Sequence, residues 1–486
     1  MDLLTALPLD LHAGVPHVIS FVGGGGKSSA LFGLAKAIAD RGHRVISTST
    51  THLGAEQLAL APSVVRVTNN SLPLPQLAEA LAQHNHCLLI GAAISHASDA
   101  SLKTPMPAEM RLKGLPIPMI DELVNHCAQL GVSALLVEAD GSKRRPIKAP
   151  ATYEPAVPTA TTMLITVMGL DAVGRPITED FVHRPELLRQ LLHEYSASSL
   201  PVEPAPPAPA LDAPMRLTPS MMAHLLLHPN GGAKNLPPLA RHVLLLNKAE
   251  SPVLLAVARL IRQQFPSDAP LCLMGAVGFA PQNPIQERWA PLGIAVLAAG
   301  QSRRMGRSKQ LSTADGEIMV VRAVRVALAS GAEQTVVVTG AYAPQVEEQL
   351  RTALGADFTR LHLVHNPDWA SGQASSVRCA IQNFAPHIAA AAIMPVDQPF
   401  LSPLLLKQIF QRWRLGAQMV APAVQSQMRG APALFDRTMW DELATVDGDV
   451  GARVVLRRYA DAVSTVETSA LQLQDIDTPE DLARLA

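Results

Sequence analysis

The 486-residue chain is poor in aromatic residues and carries almost no net charge. Aromatic residues make up 4% of the chain, and the formal net charge is −1. Base-stacking surfaces need aromatic rings, and nucleic acids or anionic membranes attract strongly basic proteins. We therefore expect neither a nucleic-acid partner nor a membrane partner.

The four cysteines are too scattered to form a recognisable site. Cys87, Cys127, Cys272 and Cys379 include no CxxC pair, so their spacing fits neither a disulfide framework nor a zinc knuckle. Isolated cysteines of this kind are typical buried thiols of a reducing compartment. The sequence thus predicts a cytoplasmic protein.

Long apolar runs are missing as well. The N-terminal sequence MDLLTALPLDLHAG has no basic segment ahead of an apolar core, so it is a poor signal peptide. The apolar runs at 134–137 and 243–246 are far shorter than the roughly 20 residues of a membrane-spanning helix. With 48% apolar residues the chain can build sizeable cores, and its length predicts two or three domains.

Short apolar runs alternate with helix-like stretches along the whole chain, a pattern typical of α/β proteins with parallel sheets. We expect buried strands at residues 17–21, 45–47, 87–90, 135–138, 163–168, 243–246, 293–297, 335–339, 361–364, 391–395 and 419–421.

Proline content marks the domain organisation. Residues 199–219 are proline-dense, which favours an extended segment, either a linker or an insertion. We prefer an insertion, because residues 220–280 still supply a helix and a strand to the first domain. The better boundary lies near residues 281–291, just before a fresh strand. The sequence therefore predicts two α/β domains, 1–285 and 291–486.

A run of four glycines follows the first predicted strand and leads into the helix-like sequence KSSALFGLAKAIA. Glycine lets the backbone approach a phosphate, and a helix N-terminus offers free N–H groups and a positive dipole end. Lys27 would reach the β- and γ-phosphates, and Ser28 would ligate Mg²⁺. Phe21 stands where the full Walker A pattern has its first glycine, so a tight strand–helix turn is the alternative. The predicted nucleotide-binding residues here are Gly24, Gly25, Gly26, Lys27 and Ser28.

Two later segments favour the same site. The sequence ALLVEADG is a buried strand ending in Glu138 and Asp140, either of which could hold Mg²⁺ or polarise water, or simply form a strand-end turn. The sequence LLLNKAE is similar to the guanine-reading NKxD element of GTPases, so Asn247 and Lys248 are predicted to bind a nucleotide. Glu250 replaces the aspartate of that element and leaves the preferred base open.

Two further segments carry polar side chains with two possible roles. The hydroxyl-rich STSTTH at 47–52 could orient a phosphate or form an ST-turn. The basic GSKRRPIKAP at 141–150 could bind an anion or form a solvated turn.

Together these segments resemble the YqeC family over about residues 15–280. The matching stretches are VGGGGKSS, TSTTH, VEADGSKRRPIKAP, YEPAVP, GLDAVGRP, VHRPEL, HPNGGAKN and LNKAE. The family is a P-loop type of accessory protein for selenium-dependent molybdenum hydroxylases. The resemblance implies a P-loop-like parallel-sheet domain that binds a second NTP, with ATP and GTP both open.

A second glycine-containing turn, AAGQSRRMGRSKQL, follows the predicted strand at 293–297. Its backbone can wrap a base and phosphates closely, while Arg304 and Lys309 can neutralise charge on the α- and β-phosphates. Ser375 and Ser376 lack a histidine base at motif spacing, so they would bind nucleotide or cap a helix. The predicted nucleotide-binding residues are Ala298, Ala299, Gly300, Ser302, Arg304, Lys309 and Ser375.

The spacing LAAGxSxRMGxxK is identified as the signature of the MobA-like nucleotidyltransferases, a resemblance that covers about residues 293–486. Further matches follow in order: HNPDWASGQASSVRCAI, PVDQPF, RGAPALF, DGDVGAR and QDIDTPEDL. The resemblance implies a Rossmann-like, GT-A-like domain in which Asp397 and Asp477 hold Mg²⁺. It also implies that Arg304, Lys309 and Asp397 are catalytic.

Within this family the chain most resembles the MocA branch, the molybdenum cofactor cytidylyltransferases. Ala299 favours CTP, because a β-carbon there would crowd a purine. Val396, Gln373 and Ala431 depart from the family pattern and affect acceptor specificity more than catalysis. The resemblance implies transfer of CMP from CTP to Mo-molybdopterin, with apo molybdenum hydroxylases as partners of the product.

Two other functions fit the same motifs. One is a cytidylyl- or uridylyltransferase for another phosphorylated acceptor, such as a sugar phosphate. The other is a non-catalytic carrier that inserts a cofactor and uses both nucleotide sites as switches.

Overall fold

The computed structural model describes residues 1–12, 14–91, 93–94, 111–198, 215–266, 268–278, 284–302, 305–306 and 308–483. Within these ranges the chain forms two compact units, Met1–Arg288 and Trp289–Ala486. Residues 199–214 of the proline-dense segment and the predicted catalytic residue Arg304 lie outside the described residues.

The first unit contains a nine-stranded sheet with the order β14-β13-β12-β10-β1-β8-β2-β5-β4. All neighbours from β13 to β4 are parallel. The strands of this unit are β1 (His17–Gly23), β2 (Arg44–Ser49), β3 (Leu53–Gly54), β4 (Val64–Arg66), β5 (His86–Ile90), β6 (Ala93–Ile94), β7 (Arg111–Leu112), β8 (Val132–Glu138), β9 (Ile147–Lys148), β10 (Met163–Gly169), β11 (Val182–His183), β12 (Arg241–Asn247), β13 (Leu271–Gly275) and β14 (Ile285–Trp289).

Helices cover both faces of this sheet. They are α1 (Leu3–Ala6), α2 (Lys27–Asp40), α3 (Leu74–His84), α4 (Ile117–Leu130), α5 (Pro185–Ser198), α6 (Pro219–Leu227) and α7 (Pro252–Gln263). In α2 the buried side chains recur with helical spacing, from Ala30 through Leu34 to Ile38, and pack in one core with Ile19 and Phe21 of β1. Residues of α3 and α4 form the other core with the alternate positions of β1, β2, β5 and β8.

The second unit has an eight-stranded mixed sheet in the order β19-β18-β15-β20-β23-β21-β22, with β24 paired to β21. Its strands are β15 (Leu292–Ala298), β16 (Thr313–Ala314), β17 (Glu317–Ile318), β18 (Gln334–Thr339), β19 (Leu361–His365), β20 (Ala390–Pro395), β21 (Met419–Val424), β22 (Gln427–Met428), β23 (Ala433–Asp436) and β24 (Val463–Glu467). Its helices are α8 (Met319–Ala329), α9 (Ala343–Leu354), α10 (Gln373–Gln382), α11 (Pro403–Arg414), α12 (Trp440–Ala444), α13 (Arg453–Arg458) and α14 (Pro479–Ala483).

All eleven predicted strands are confirmed, and both sheets are of the α/β type expected. The sequence did not indicate β23, which pairs antiparallel with both β20 and β21 and so interrupts the parallel order of the second sheet. Its four residues, Ala433–Asp436, are too few to display a strand period.

The four cysteines take part in no disulfide bond among the described residues. Cys87, Cys127 and Cys272 are buried, Cys379 is half-buried, and all four are free thiols. Burial raises the pKa of Cys127 to about 11 and that of Cys272 to about 12. Among the helices in the described ranges, none has the length and apolarity needed to cross a bilayer.

Candidate functional site

The sheet order of the first unit brings its predicted nucleotide-binding segments to one edge. The neighbouring strands β10, β1 and β8 are parallel, so their carboxyl ends lie side by side. The glycine-rich turn follows β1, and Glu138 and Asp140 stand at the end of β8. Such an edge is where ligands bind in open α/β sheets.

The glycines of this turn are required by close backbone packing. Gly25 has φ +75°, and a β-carbon there would lie 2.3 Å from the backbone N of Gly169 at the end of β10. A β-carbon on Gly24 would lie 2.7 Å from the carbonyl oxygen of Arg145, and one on Gly26 2.4 Å from the side chain of Asn247. The turn is therefore held between β10 and the basic segment, and its contact with a phosphate stays a prediction.

Lys27 begins α2 and is buried against the acids of β8. Its ammonium group donates a hydrogen bond to the carbonyl of Gly23 at 2.7 Å and lies 3.2 Å from Asp140 and 3.9 Å from Glu138. Ser28 donates to Glu138 at 2.9 Å. Burial raises the pKa of Glu138 above its usual value. The lysine, hydroxyl and two carboxylates that sequence patterns placed in one site are thus in contact.

Asn247 and Lys248 reach the same edge from β12. The Asn247 side chain is 1% exposed and donates to the carbonyls of Gly25 at 2.8 Å and Val277 at 3.3 Å. Lys248 has φ +68° and pairs with Asp171 at 2.6 Å. In the structure Asn247 fixes the glycine-rich turn, while its predicted contact with a base stays a prediction.

The hydroxyl-rich end of β2 forms internal hydrogen bonds. Ser49 donates to the carbonyl of Glu138 at 2.8 Å, and Thr48 donates to the carbonyl of Leu89. The bond from Ser49 fixes the end of β8 next to Asp140, and the bond from Thr48 joins β2 to β5.

In the second unit, a buried glutamine closes the turn that follows β15. Gln310 is 2% exposed and donates to the carbonyls of Ala298 and Gly300. Its side-chain oxygen accepts from Ser302 at 3.1 Å, and the Ser302 hydroxyl in turn accepts from the backbone N–H of Lys309 at 3.1 Å. Sequence reasoning missed Gln310, although its polar side chain directly after Lys309 was the available signal.

Lys309 joins the two predicted metal-binding acids. Its ammonium group donates to Asp397 Oδ2 at 2.6 Å and to Asp477 Oδ1 at 2.8 Å. Burial disfavours the charge of Lys309, but the two carboxylates outweigh it and raise its pKa above the usual value. The backbone N–H of Ile476 donates to the carbonyl of Asp397 at 2.9 Å, which fixes the distant Asp477 beside the end of β20.

The residues of this site fit a hard divalent cation. Asp397 Oδ1 is buried and has no hydrogen-bond partner among the residues described, so it is an unsatisfied anionic ligand. Asp475 lies close enough for the charge of Asp397, together with burial, to raise its pKa. In the described part of the chain no three His, Cys, Asp or Glu side chains form a complete metal site. Mg²⁺ commonly uses one or two carboxylates and takes its other ligands from water and substrate phosphates.

A cavity of about 630 Å³ opens beside these acids. Its lining includes Asp397, Asp475 and Asp477, together with three arginines that sequence reasoning did not single out as site residues: Arg429, Arg453 and Arg457. The departures Gln373 and Ala431 also line it. Arginine presents several N–H donors that match phosphate oxygens, so the cavity suits an anionic molecule placed next to the carboxylate pair.

Ser375 and Ala299 lie inside the protein. Ser375 is 5% exposed, donates to the carbonyls of Asp368 and Gly372, and accepts from Asn366. Ala299 is 3% exposed, and a β-carbon on Gly340 would lie 2.8 Å from its methyl group. The methyl group of Ala299 therefore faces the end of β18 and does not project from the turn.

Comparisons with known proteins divide the chain in the same way. The family profile of the YqeC protein matches residues 19–186, and that of the MobA-like NTP transferase domain matches residues 294–463. The uncharacterized YqeC protein of Escherichia coli K12 is 31% identical over 245 residues, which are 50% of this chain and 81% of that protein.

Two further relatives match the second unit. The nicotine blue oxidoreductase of Paenarthrobacter nicotinovorans is 33% identical over 202 residues, which are 39% of this chain and 94% of that protein. The crystal structure of Rv0371c from Mycobacterium tuberculosis H37Rv is 27% identical, covers 40% of this chain and 97% of that one, and superposes with a TM-score of 0.35.

Proposed function

Because the chain belongs to the YqeC family in its first unit and to the MobA-like NTP transferases in its second, it contains a nucleotidyltransferase, and we propose that this enzyme transfers CMP from CTP to a molybdopterin-type acceptor. The observation that carries the proposal is Lys309 bound between Asp397 and Asp477, two acids that line an arginine-containing cavity.

The chemistry is an in-line displacement. An oxygen of the acceptor phosphate attacks the α-phosphorus of CTP, the bond to the β-phosphate oxygen breaks, and pyrophosphate leaves. Lys309 stabilises the charge that develops on the phosphates, and Arg304 would do the same from the turn. Arg429, Arg453 and Arg457 orient the acceptor phosphate, so no protein nucleophile is needed.

Asp397 and Asp477 would hold a magnesium ion, which supplies positive charge between the two anionic substrates. The unpaired Oδ1 of Asp397 and the oxygen-only character of the pair support this assignment over a soft metal. The assignment of CTP rests on the resemblance of the turn to that of the MocA branch. The expected steric reason is wrong, because the buried methyl group of Ala299 faces the end of β18 and cannot crowd a purine. In the first unit, a second NTP would bind between the glycine-rich turn, Lys27 and Ser28.

A different class of function is named by one relative, the oxidoreductase of Paenarthrobacter nicotinovorans. The paired carboxylates and the three cavity arginines favour transfer to a phosphorylated acceptor instead, because they match the charges of that reaction and not those of a hydride transfer. A sugar phosphate would also satisfy the arginines, so the acceptor has to be tested directly.

Pyrophosphate release tests the proposal. We expect the full chain with Mg²⁺ to release pyrophosphate fastest with CTP and a molybdopterin acceptor, and more slowly with UTP, ATP or GTP. Comparable release with a sugar phosphate would mean that the enzyme is the alternative one, a nucleotidyltransferase for sugar phosphates. Tight binding of the cofactor without any pyrophosphate would mean that the chain is a carrier.

Arg457 provides a test of the acceptor cavity. We expect Arg457→Gln to raise the KM for the acceptor about tenfold with little change in kcat or in the KM for CTP, because one charge-assisted hydrogen bond to the acceptor is lost. Steady-state kinetics with each substrate varied in turn measures this. The matched control is Arg458→Gln, since Arg458 is the next residue of α13 and pairs with Glu442 outside the cavity. Equal effects of the two variants would show that the acceptor does not bind in this cavity.

A further inference from the structure

A group of charged side chains lies around Glu154 in the first unit, outside the glycine-rich turn. Lys148 is fully buried and pairs with Glu154 at 2.7 Å and with Asp140 at 3.1 Å. Arg184 pairs with Glu154 at 2.6 Å. Since Asp140 also pairs with Lys27, a continuous chain of ion pairs leads from the glycine-rich turn to Arg184. No step of the function proposed above uses Glu154 or Arg184.

Positive charge exceeds negative charge in this group. Lys148, Arg184 and Lys234 lie near Glu154, Lys148 also pairs with Asp140, and Lys143 acts on the neighbouring His183, so four cations accompany two carboxylates. Burial and the charges of Arg184, Lys148 and Lys143 lower the pKa of His183 to about 4, although Glu154 opposes them. Burial is the main reason why the pKa of Lys234 is lowered, with Glu154 opposing the shift and Lys148 and Arg184 adding to it. The excess of positively charged side chains in this group is what an anionic ligand requires.

An exposed aromatic ring lies beside this charge. The side chain of Tyr153 is 74% exposed, which is unusual for so large a ring. Its hydroxyl accepts a hydrogen bond from Arg184 at 3.2 Å, and the guanidinium group lies 5.8 Å from the ring centroid. Arg184 therefore holds the ring in place, while the exposed part of the ring can stack against a planar group.

The backbone at these cations is in a conformation that residues other than glycine rarely adopt. Lys143, Arg144 and Arg184 have φ angles of +48°, +61° and +68°. Such conformations cluster at ligand-binding positions, where the surrounding structure maintains them. These positive φ angles are independent of the charges, and they occur in the same two segments as the cations.

We propose that the basic face formed by Lys143, Tyr153, Arg184 and Lys234 binds the phosphate monoester of a ligand whose planar ring stacks on Tyr153. This is a second ligand site of the first unit, distinct from the glycine-rich turn and joined to it through Lys148 and Asp140. The ion pairs of Arg184, Glu154, Lys148, Asp140 and Lys27 connect a ligand bound here with the phosphates of an NTP held by Lys27. The arrangement fits a second substrate or an effector of the first unit.

Three small probes separate the parts of this proposal: phenyl phosphate, inorganic phosphate and phenol. We expect isothermal titration calorimetry on the full chain to give phenyl phosphate about tenfold tighter binding than inorganic phosphate, since the ring adds a stacking contact, and no detectable binding of phenol. Equal affinity for the two phosphate probes would show that the ring of the ligand does not stack on Tyr153. Binding of phenol alone would remove the phosphate site.

Variants then locate the probes. Lys143→Gln should weaken both phosphate probes several-fold, because Lys143 is an exposed cation whose loss leaves no buried charge. Tyr153→Ala should lower the affinity for phenyl phosphate to that for inorganic phosphate, whereas Tyr153→Phe should retain most of it. Lys36→Gln is the matched control, since Lys36 is an exposed lysine of α2 that pairs with Asp40 at the surface.

The outcome that overturns the proposal is equally specific. If Lys27→Met removes phenyl phosphate binding while Lys143→Gln and Tyr153→Ala leave it unchanged, the phosphate lies in the glycine-rich turn. If Arg457→Gln alone removes it, the probe lies in the cavity of the second unit. Either result, or no effect of any of these variants, excludes the basic face as the site.

Discussion

Asp397→Asn is expected to reduce nucleotidyl transfer at least about a thousandfold while the fold is retained, because it removes the anionic oxygens that a divalent cation needs between two phosphorylated substrates. Asparagine has the size of aspartate and can still accept the hydrogen bond from Lys309 that Asp397 accepts at 2.6 Å. Pyrophosphate release under saturating CTP and acceptor measures the loss. Thermal unfolding of the variant should match that of the unaltered chain within a few degrees.

Two companion variants make the result specific. Asp477→Asn should reduce the rate less than Asp397→Asn, because the side chain of Asp477 is 47% exposed against 19% for Asp397 and water can replace part of its role. Asp315→Asn is the matched control, since Asp315 is an exposed acid of the same unit that pairs with Arg322. A rate near that of the unaltered chain for Asp397→Asn would show that the carboxylate pair is not the reaction centre.

The pair of acids also illustrates what the sequence could predict. Short apolar runs predicted the two strands that end at the turn after β15 and at Asp397, and these strands are parallel neighbours in the structure. The role of Asp397 itself was implied by the resemblance to a family. Asp477 was assigned only through its resemblance to a family motif. It is fixed by one backbone hydrogen bond from Ile476 to Asp397, a contact between segments that local patterns do not encode.

Side chains that act through tertiary contacts were beyond the reach of sequence patterns. Gln310 closes its turn by bonds to Ala298 and Gly300, and its place directly after Lys309 does not by itself predict those two contacts. The basic segment at 141–150 was predicted to be either an anion-binding loop or a solvated turn. The structure shows both environments in this segment, because Lys143 and Arg144 are exposed whereas Lys148 is fully buried and pairs with Asp140 and Glu154.

For the glycine-rich turn, the sequence predicted that glycines are needed, but it did not predict the packing contacts that require them. The run after β1 was assigned to phosphate approach, and the structure shows that Gly24 and Gly25 are also needed for contact with Arg145 and Gly169. Substitution there disturbs the junction of three strand ends whether or not a nucleotide binds. Loss of nucleotide binding in a glycine variant would therefore not identify a phosphate contact, which is why Lys27 is the better residue to test.

The buried lysine of the basic segment carries the largest predicted effect on stability. We expect Lys148→Met to destabilise the first unit by about 3–5 kcal/mol, because it leaves the buried Asp140 and the partly buried Glu154 without one of their counter-ions. Lys148 has no exposed surface and pairs with Asp140 and Glu154 at 3.1 and 2.7 Å. Hydrogen–deuterium exchange at pH 7 should become faster in peptides from β8 and β10 and stay unchanged in peptides from β15 and β20. Lys36→Met, at an exposed lysine of α2, should change neither set.

The pH dependence of this difference follows from Glu154. Burial alone would raise its pKa, but hydrogen bonds and charge from Arg184 and Lys148 lower it below the usual value, so in the unaltered chain Glu154 adds stability above the unfolded pKa of about 4.3 and loses it as the pH falls. In Lys148→Met that compensation is weaker and burial counts for more, so protonation of Glu154 favours the folded state. The difference in exchange between the two proteins should therefore shrink as the pH is lowered from 7 towards 4.5. A difference that grows on acidification would mean that Lys148 stabilises the unit by packing and not by pairing with Asp140 and Glu154.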